Sequence, residues 1–232
     1  MSKNLKDIID LNKYPIHDLN SPKIKSIIEK CKSDLEQDSC STLPDFILPN
    51  SLKIMNNELE QQLNEVYMSK ESINAYLYAK DDLSLPKDHP KRTFMNRYNG
   101  YLNSDCFPKD SEMKFLYKTE ELLKFVSACL GVSPIFRWAD PLACHAYNVM
   151  KPDGVLPWHF DSCEFTLSLM IQKPENGGVF EYCPNIREPG NENFEEVQKV
   201  IAGDRTRVRQ LKLDPGDLQI FKGRFTLHRV TK

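Results

Sequence analysis

Beyond residue 135 the sequence breaks into short apolar runs separated by turn residues, and this pattern limits the choice of fold more than any other feature. Proline, glycine, asparagine and aspartate cluster at 152–154, 176–178 and 214–217, where an extended chain would reverse direction. Short runs at this spacing are typical of antiparallel strands in a sandwich or barrel. Strands are therefore predicted at 146–150, 158–161, 165–172, 179–182, 208–213, 218–221 and 226–230.

The run at 165–171 also indicates what its two faces contact. Its first residues, F-T-L-S-L, alternate bulky side chains with small or polar ones. One face of such a strand is expected to join a core and the other to line a cavity. Many short strands around a cavity favour a jelly roll, so residues 135–232 are interpreted as a jelly-roll core.

The first half of the chain predicts helices instead. Ser21 and Pro22 are typical of a helix start, and apolar residues follow them at helical spacing, namely Ile24, Ile27, Ile28, Cys31 and Leu35. A second amphipathic helix is predicted around Leu59 and Leu63 and is expected to extend toward Tyr78. The start signals at 111 and 119–121 mark one broken or two short helices, which should end just before Gly131.

Residues 80–110 are expected to form a long surface connection or a partly ordered lid, because they are rich in Asp, Pro, Asn and Lys. Arg92 and Arg97 lie in this segment. Either both are solvated, or one of them anchors the carboxylate of a substrate through a two-pronged contact.

Helices first and strands afterwards predict an α+β fold. A chain of 232 residues is long enough for one sizeable core and is interpreted as one domain. Within it, a mainly helical portion at 1–134 packs on the jelly-roll core at 135–232.

Charge, cysteine content and hydropathy restrict the partners. The formal net charge is -2 and no basic stripe is present, so nucleic acid is not an expected partner. Seven cysteines without a C-x-x-C pair fit reduced thiols rather than a disulfide framework. No apolar run approaches a membrane span and no leader peptide is recognisable, so a soluble cytoplasmic protein is expected. The oligomeric state stays open.

The segment W-H-F-D at 158–161 is the strongest candidate for a functional site. If the strand continues through it, His159 and Asp161 point to the same face, roughly 6–7 Å apart along the backbone. His228, on another predicted strand, can supply a third ligand. Two histidines and one carboxylate on one face of Fe(II) leave the opposite coordination positions open for chemistry.

Four segments in order resemble the Fe(II)- and 2-oxoglutarate-dependent dioxygenases of the double-stranded β-helix type. They are N-V-M-K-P-D-G-V-L-P-W-H-F-D at 148–161, G-G-V-F-E-Y at 177–182, D-P-G-D-L-Q-I-F at 214–221 and L-H-R-V at 227–230. They are similar to the prolyl-hydroxylase and alkylation-repair branches. The helical first half together with H-F-D-x-x-E-F looks more narrowly like the bacterial subgroup of amino-acid hydroxylases and radical halogenases.

The resemblance implies that His159, Asp161 and His228 hold Fe(II) and that Asn148 contacts the cosubstrate 2-oxoglutarate. It also implies O₂ as oxidant, with ascorbate as a support of activity, and hydroxylation of an unactivated C–H bond of a small molecule, with a free amino acid as the expected substrate. In the halogenases a small residue replaces the carboxylate and leaves room for chloride. Asp161 is present here, so the resemblance favours hydroxylation.

The sequence departs from the family at its end. Family members place a basic residue, usually Arg, about ten positions after the distal histidine, where it pairs with the far carboxylate of 2-oxoglutarate, but the sequence stops at Lys232. A truncated copy, a barrel completed by a partner's strand and a substitute arginine are the three interpretations. Arg224 is the preferred substitute, because Arg229 should point away from the face of His228. The chain is then expected to bind Fe(II) and to bind 2-oxoglutarate weakly.

Other functions stay open on the sequence. A hydroxylase of protein side chains would use the same core as an enzyme of free amino acids. A truncated or degenerate member of the fold would hold a metal without turnover. A zinc hydrolase would use the same three ligands, although the segments around Asn148 and at 177–182 do not favour it.

Overall fold

The computed structural model describes residues 3–232, and within them the chain forms five α-helices and ten β-strands. The helices are α1 Pro22–Asp38, α2 Pro49–Glu60, α3 Glu112–Lys118, α4 Glu120–Leu130 and α5 Phe194–Ile201. The strands are β1 Cys40–Leu43, β2 Tyr67–Ile73, β3 Met95–Leu102, β4 Tyr147–Val149, β5 Leu156–His159, β6 Thr166–Leu169, β7 Phe180–Cys183, β8 Arg209–Leu211, β9 Leu218–Phe221 and β10 Leu227–Val230. None of the helices in this part of the chain is long and apolar enough to cross a membrane.

The first and last predicted helices are confirmed. Helix α1 begins with Pro22 in its first turn and buries the apolar stripe that the spacing indicated, Ile24, Ile28, Cys31 and Leu35. The start signals at 111 and 119 mark two separate helices, α3 and α4. Helix α4 ends at Leu130, just before Gly131, whose φ of 67° lies in the left-handed region that glycine adopts without a steric penalty.

The expectation of a helix running from Leu59 toward Tyr78 is wrong. Helix α2 ends at Glu60, and the chain then enters strand β2. This strand pairs along its whole length with β3, from Tyr67 opposite Tyr101 to Ile73 opposite Met95. Strand β3 lies inside the segment expected to be a surface connection or lid. The ladder of backbone hydrogen bonds between the two strands outweighs the weak helical spacing of the sequence.

The predicted order, with all helices before the strands, is also wrong in detail. Strand β1 follows α1 directly, and β2 and β3 precede α3. Strand β1 pairs with β9, with Cys40 opposite Phe221. About 180 residues separate these partners in the sequence, so no local pattern indicates their pairing. The first half of the chain therefore supplies three strands to a mixed α/β fold with antiparallel sheets, and the division at residue 134 stays a prediction.

All three sheets are antiparallel. The first has the order β1-β9-β6, the second β5-β10-β7-β8 and the third β2-β3-β4. A bridge between Tyr98 and Val155 connects the third sheet to the residues just before β5. The seven strands predicted beyond residue 135 all form, six of them inside their predicted bounds or extending one residue beyond them, whereas the strand predicted at 158–161 forms two residues earlier as β5.

The side chains of the first two sheets separate by the two-residue period of a strand. On β9, Leu218 and Ile220 join the largest core cluster, which also contains the buried residues of α1, α2 and α4. Phe221 points the other way and meets Tyr182 and Phe180 of β7, with ring centroids 6.2 Å and 5.4 Å away. These aromatic contacts join the two sheets through their inner faces.

Helix α5 has no counterpart among the predicted elements. Its Val197 and Val200 are buried against Trp158 and Phe160, which flank His159 in the sequence. The two aromatic side chains therefore lie on the face opposite His159. This packing fixes which face of β5 is buried under α5 and which face carries the histidine.

Candidate metal centre

His159 and His228 lie opposite each other in the pairing of β5 with β10, and the centroids of their rings are 4.1 Å apart. Both Nδ1 atoms lie against a main-chain carbonyl two residues earlier, at 2.8 Å from Pro157 O and 2.9 Å from Thr226 O. A carbonyl oxygen only accepts hydrogen bonds, so each Nδ1 carries the proton. Each Nε2 is then unprotonated, and its lone pair is available to a metal ion.

Asp161 lies two residues beyond the end of β5, so the expectation that the strand continues through it is wrong. Its main-chain amide donates to Gly223 O at 3.1 Å, which turns the chain toward the segment between β9 and β10. Asp161 Oδ1 is 3.4 Å from His228 Nε2 and 3.7 Å from His159 Nε2. The carboxylate therefore reaches the histidine pair although the strand that was expected to carry it has ended.

The environment sets the protonation of this cluster. Burial, and then the neighbouring His228, lower the pKa of His159 to about 3, although Asp161 opposes the shift. Burial acts to raise the pKa of Asp161, but contact with His228, the charge of His159 and a hydrogen bond from Thr166 outweigh it and lower this pKa to about 2. At neutral pH His159 is therefore neutral and Asp161 ionised, as ligands of a divalent cation must be.

The three side chains fit a metal ion. One ligand atom from each lies within 4.8 Å of the others, and no second group of three such residues is found within 3–232. His159 and His228 are 6% and 5% exposed, so two neutral imidazoles and one carboxylate converge at a nearly buried point. Fe(II) accepts this donor set on one face and keeps its remaining positions for other ligands.

The other histidines lie outside the cluster. The Nδ1 of His145 is 3.1 Å from Cys144 Sγ, and its ring lies 5.4 Å from that of Tyr117. His17 is exposed, and His89 packs on Phe194 with 4.4 Å between ring centroids.

Asn148 belongs to a chain of three polar side chains on the third sheet. Arg97 Nε donates to Asn99 Oδ1 at 2.8 Å, and Asn99 Nδ2 donates to Asn148 Oδ1 at 2.8 Å. Because Arg can only donate, these bonds fix the orientation of both amides. The Nδ2 group of Asn148 takes no part in these two hydrogen bonds and can donate to another group. The positive charge of Arg97 contributes to the lowered pKa of His159. The bridge between Tyr98 and Val155 places β3, which carries Arg97 and Asn99, beside the residues just before β5.

The two arginines of the segment at 80–110 have different partners. Both guanidinium ends of Arg92 bind Asp81, with Nε 2.9 Å from Oδ1 and Nη2 2.9 Å from Oδ2, and its Nη1 donates to Leu85 O. Arg97 is half-buried and forms no ion pair with a carboxylate of the described residues. Only Arg97 retains donors that a ligand can use.

The two C-terminal arginines take different positions. Arg229 Nε donates to Glu181 Oε2 at 2.7 Å, and its guanidinium lies 4.6 Å from the centroid of the Trp158 ring. Arg229 therefore points away from the face of His228, as the two-residue period of strand β10 predicts. Arg224 is exposed and donates to the carbonyl of Ser162. Within the described residues Arg224 does not contact the cluster, and its role toward 2-oxoglutarate stays a prediction.

The sequence analysis does not identify three residues that lie near the cluster or its polar neighbours. Asn99 lies on a strand that was not recognised, although Arg97 and Asn99 have the two-residue spacing of one face. Thr166 donates to Asp161 Oδ2 at 2.7 Å, and its place in the F-T-L-S-L alternation indicated only that it faces a cavity. Gly223 lies between strands, and no local pattern indicated its contact with Asp161.

This fold is similar to several solved structures. A Pseudomonas putida prolyl-4-hydroxylase is 12% identical with a TM-score of 0.53, over 90% of this chain and 91% of that chain. An oxidoreductase of the 2OG-Fe(II) oxygenase family from Burkholderia pseudomallei is 12% identical with a TM-score of 0.52, over 88% and 84%. SnoN, a non-heme α-ketoglutarate-dependent epimerase from nogalamycin biosynthesis, is 14% identical with a TM-score of 0.53, over 89% and 77%.

At these identities the likeness shows the fold alone. The chain has the fold of the 2OG-Fe(II) oxygenases, and its two histidines and one aspartate form a donor set that fits Fe(II). No curated protein matches the sequence significantly. A family model described as "Halogenase D" matches residues 24–232, so the chain belongs to the halogenase D family.

Proposed function

We propose that this chain is an Fe(II)- and 2-oxoglutarate-dependent oxygenase that hydroxylates an unactivated C–H bond of a small molecule, with a free amino acid as the expected substrate class. The convergence of the His159, Asp161 and His228 ligand atoms in a chain of the halogenase D family carries this proposal. When bound, Fe(II) with 2-oxoglutarate and O₂ supplies the oxidation, yielding succinate, CO₂ and the hydroxylated product.

The chain's own residues hold and enclose the metal. His159 and His228 are pre-oriented, because their Nδ1 atoms are already hydrogen-bonded to carbonyls and no ring rotation is needed on binding. The aromatic rings of Phe221 and Phe180 lie 4.8 Å and 5.8 Å from the ring of His228 and keep water from that side. Asp161 supplies the negative charge that offsets part of the charge of the cation.

Asp161 favours hydroxylation over halogenation, although the family carries the name of a halogenase. In halogenases of this resemblance a small residue stands at the carboxylate position and leaves a coordination site for chloride. Here the carboxylate of Asp161 is already within 3.4 Å of His228 Nε2 and occupies that place.

A carboxylate of the substrate fits Arg97. This side chain is half-buried, forms no ion pair within the described residues and keeps its two Nη groups as donors, while Asn99 fixes its Nε. This arrangement favours an anionic group, and free amino acids carry one.

We also infer that the two sheets β1-β9-β6 and β5-β10-β7-β8 form a double-stranded β-helix. Their antiparallel pairing, the aromatic contacts between their inner faces and the position of the histidine pair on the second sheet support this inference. The core cluster shared by β9 and α1 supports the packing of the N-terminal helices against the outside of the first sheet.

Succinate release from 2-oxoglutarate tests the function. The purified chain with Fe(II), ascorbate and O₂ is incubated with each free amino acid and with a peptide library, and succinate and product masses are measured. Stimulation by a free amino acid together with a gain of one oxygen supports the proposal, and His228→Ala is the inactive control. Stimulation by peptides alone would indicate a hydroxylase of protein side chains. An absence of succinate under all conditions would indicate a metal-binding protein without turnover.

A further inference from the structure

The two carboxylate oxygens of Asp161 have different surroundings. Oδ1 lies near the Nε2 atoms of both histidines, at 3.4 Å from His228 and 3.7 Å from His159. Oδ2 accepts a hydrogen bond from Thr166 Oγ1 at 2.7 Å. One oxygen is therefore directed to the cluster, while the other is already bonded to a protein donor.

Gly223 limits the position of the same carboxylate. A Cβ atom at this residue would overlap Asp161 Oδ2 and would lie 2.5 Å from Cγ and 2.8 Å from Cβ of Asp161. Real Cβ atoms do not approach this closely, so any side chain at residue 223 would displace the Asp161 side chain. Gly223 O also accepts from the amide of Asp161 at 3.1 Å. Glycine is required here for space and close backbone approach.

Thr166 lies in the first sheet, and Gly223 lies in the turn just beyond it. Thr166 is the first residue of β6 and pairs with Phe221, the last residue of β9, two positions before Gly223. The sheet and the turn after β9 therefore bring a hydroxyl donor and a residue without a side chain to the same carboxylate. Because backbone hydrogen bonds fix this pairing, both constraints exist before a metal binds.

We propose that Thr166 and Gly223 are positioning residues that make Asp161 a ligand through one oxygen only. The inference rests on the proposed function and concerns the number of coordination positions left open. Carboxylates also bind metals through both oxygens. With Oδ2 held by Thr166, a six-coordinate metal keeps three open positions, two for the chelating 2-oxoglutarate and one more. With Oδ2 free, the carboxylate would occupy one of them.

The test counts the open positions with Mn(II), which does not oxidise in air and reports bound water through the relaxation rate of water protons. In the Mn(II)-loaded full chain, Thr166→Val keeps the shape of the side chain and removes the hydroxyl. We expect the proton relaxation enhancement per bound Mn(II) to fall by about one third, as three open positions become two. The affinity for Mn(II) should stay within a few-fold of wild type, and the affinity for 2-oxoglutarate should fall by about tenfold.

Three further variants separate positioning from general damage. Thr166→Ser keeps the hydroxyl and should restore the wild-type relaxation. Ser168→Ala removes a hydroxyl from the next inward position of β6 and should change neither quantity. Gly223→Ala should lower the affinity for Mn(II) by about tenfold or more, because it displaces Asp161. Circular dichroism of each variant verifies its fold.

Two results for Thr166→Val would contradict the inference. Unchanged relaxation in Thr166→Val would overturn the inference, and so would an equal loss of Mn(II) and 2-oxoglutarate affinity, which would mark Thr166 as a mere support of the ligand. In both cases the proposed function would stand, since the wild type would still bind metal and cosubstrate. A wild-type chain that does not bind Mn(II) or Fe(II) would overturn both the inference and the proposed function.

Discussion

His159 and His228 occupy directly opposed positions on antiparallel strands, and both present a proton-free Nε2 toward the Oδ1 atom of Asp161. Two unprotonated ring nitrogens and an ionised carboxylate at one nearly buried point make a cluster rich in lone pairs. A divalent metal ion would convert this unfavourable group of acceptors into a bonded set. Metal binding should therefore stabilise the folded chain.

The first prediction is a metal-dependent shift of thermal unfolding. Mn(II) at about 100 times its Kd should add about 2.7 kcal/mol to the free energy of unfolding. For a chain of this size, the unfolding midpoint should then rise by roughly 5–10 °C. His228→Ala should lose most of this shift, whereas His145→Ala, which removes a histidine outside the cluster, should keep it. Equal shifts in the two variants would contradict the site. Differential scanning fluorimetry gives the midpoints.

The second prediction concerns the anchoring of substrate by Arg97. With the amino acid that best stimulates succinate release, Arg97→Met should raise KM by about 10- to 100-fold, because a hydrogen-bonded charge pair contributes roughly 1.5–3 kcal/mol. Arg92→Met removes an arginine that is already bound to Asp81, and it should leave KM nearly unchanged.

The amine that lacks the carboxylate of that amino acid provides an independent check. It should bind the wild type and Arg97→Met with similar KM, because the contact that the variant removes is absent from this ligand. If the amine and the amino acid lose affinity equally, Arg97 does not recognise the carboxylate.

The third prediction follows from the polarity of the Arg97–Asn99–Asn148 chain. Asn99→Asp keeps an acceptor for Arg97 Nε, but it replaces the Nδ2 donor by a second acceptor. The amide of Asn148 must then turn, so that its Nδ2 binds the new carboxylate and its oxygen faces the ligand. Affinity for 2-oxoglutarate, measured by calorimetry on the Mn(II)-loaded chain, should fall by about tenfold. Asn99→Ser, which can still donate to Asn148, should lose less, and the opposite ranking would contradict the orientation of the amides.

Sequence reasoning was most successful where a single segment carries its own pattern. The apolar runs beyond residue 135 have turn residues at both ends, and all seven predicted strands form. His159 and His228 are predicted as ligands because they lie on such strands, within segments that resemble the dioxygenase family. Asp161 shows the limit of this reasoning, because it reaches the cluster through its bond to Gly223 and not by continuing the strand.

The missing elements depend on distant partners. Strand β1 exists because it pairs with β9, and β2 exists because β3 pairs with it, while neither shows strong alternation of its own. Thr166 and Asn99 likewise acquire their roles from contacts with Asp161 and Asn148 on other strands. Periodicity reports on burial along one segment, and it contains no information about which segment lies alongside.

The fourth prediction concerns acid stability and the buried Glu181. Burial acts to raise the pKa of this carboxyl, but hydrogen bonds from Arg205, Gln210 and Arg229 outweigh it and lower the pKa to about 2. Its ordinary pKa is 4.5, so the unfolded chain takes up the proton first as the pH falls. The ion cluster should therefore stabilise the fold above about pH 5 and lose this effect between about pH 5 and pH 2.

Denaturant unfolding at a series of pH values tests this. Glu181→Gln should lower the free energy of unfolding by roughly 1–3 kcal/mol at pH 7, and its difference from the wild type should shrink steadily below pH 5. Glu188→Gln changes an exposed side chain and should follow the wild-type curve. A difference between Glu181→Gln and wild type that stays constant down to pH 2 would contradict the lowered pKa.

The fifth prediction is that Asp161→Gly opens the metal centre to halide. The substitution removes a carboxylate beside Gly223, which has no side chain to fill the space. It also leaves Thr166 Oγ1 without its acceptor, and this hydroxyl can then donate to an anion bound in the same place. Chloride or bromide should therefore take the coordination position of Asp161. With the best amino-acid substrate, the variant should produce halogenated product in amounts that rise with halide concentration, as mass spectrometry can show. Asp161→Asn keeps the space filled and should give none. If Asp161→Gly still binds Mn(II) and releases succinate but forms only hydroxylated product at saturating chloride, then Asp161 does not exclude halide, and other residues of the pocket determine the reaction.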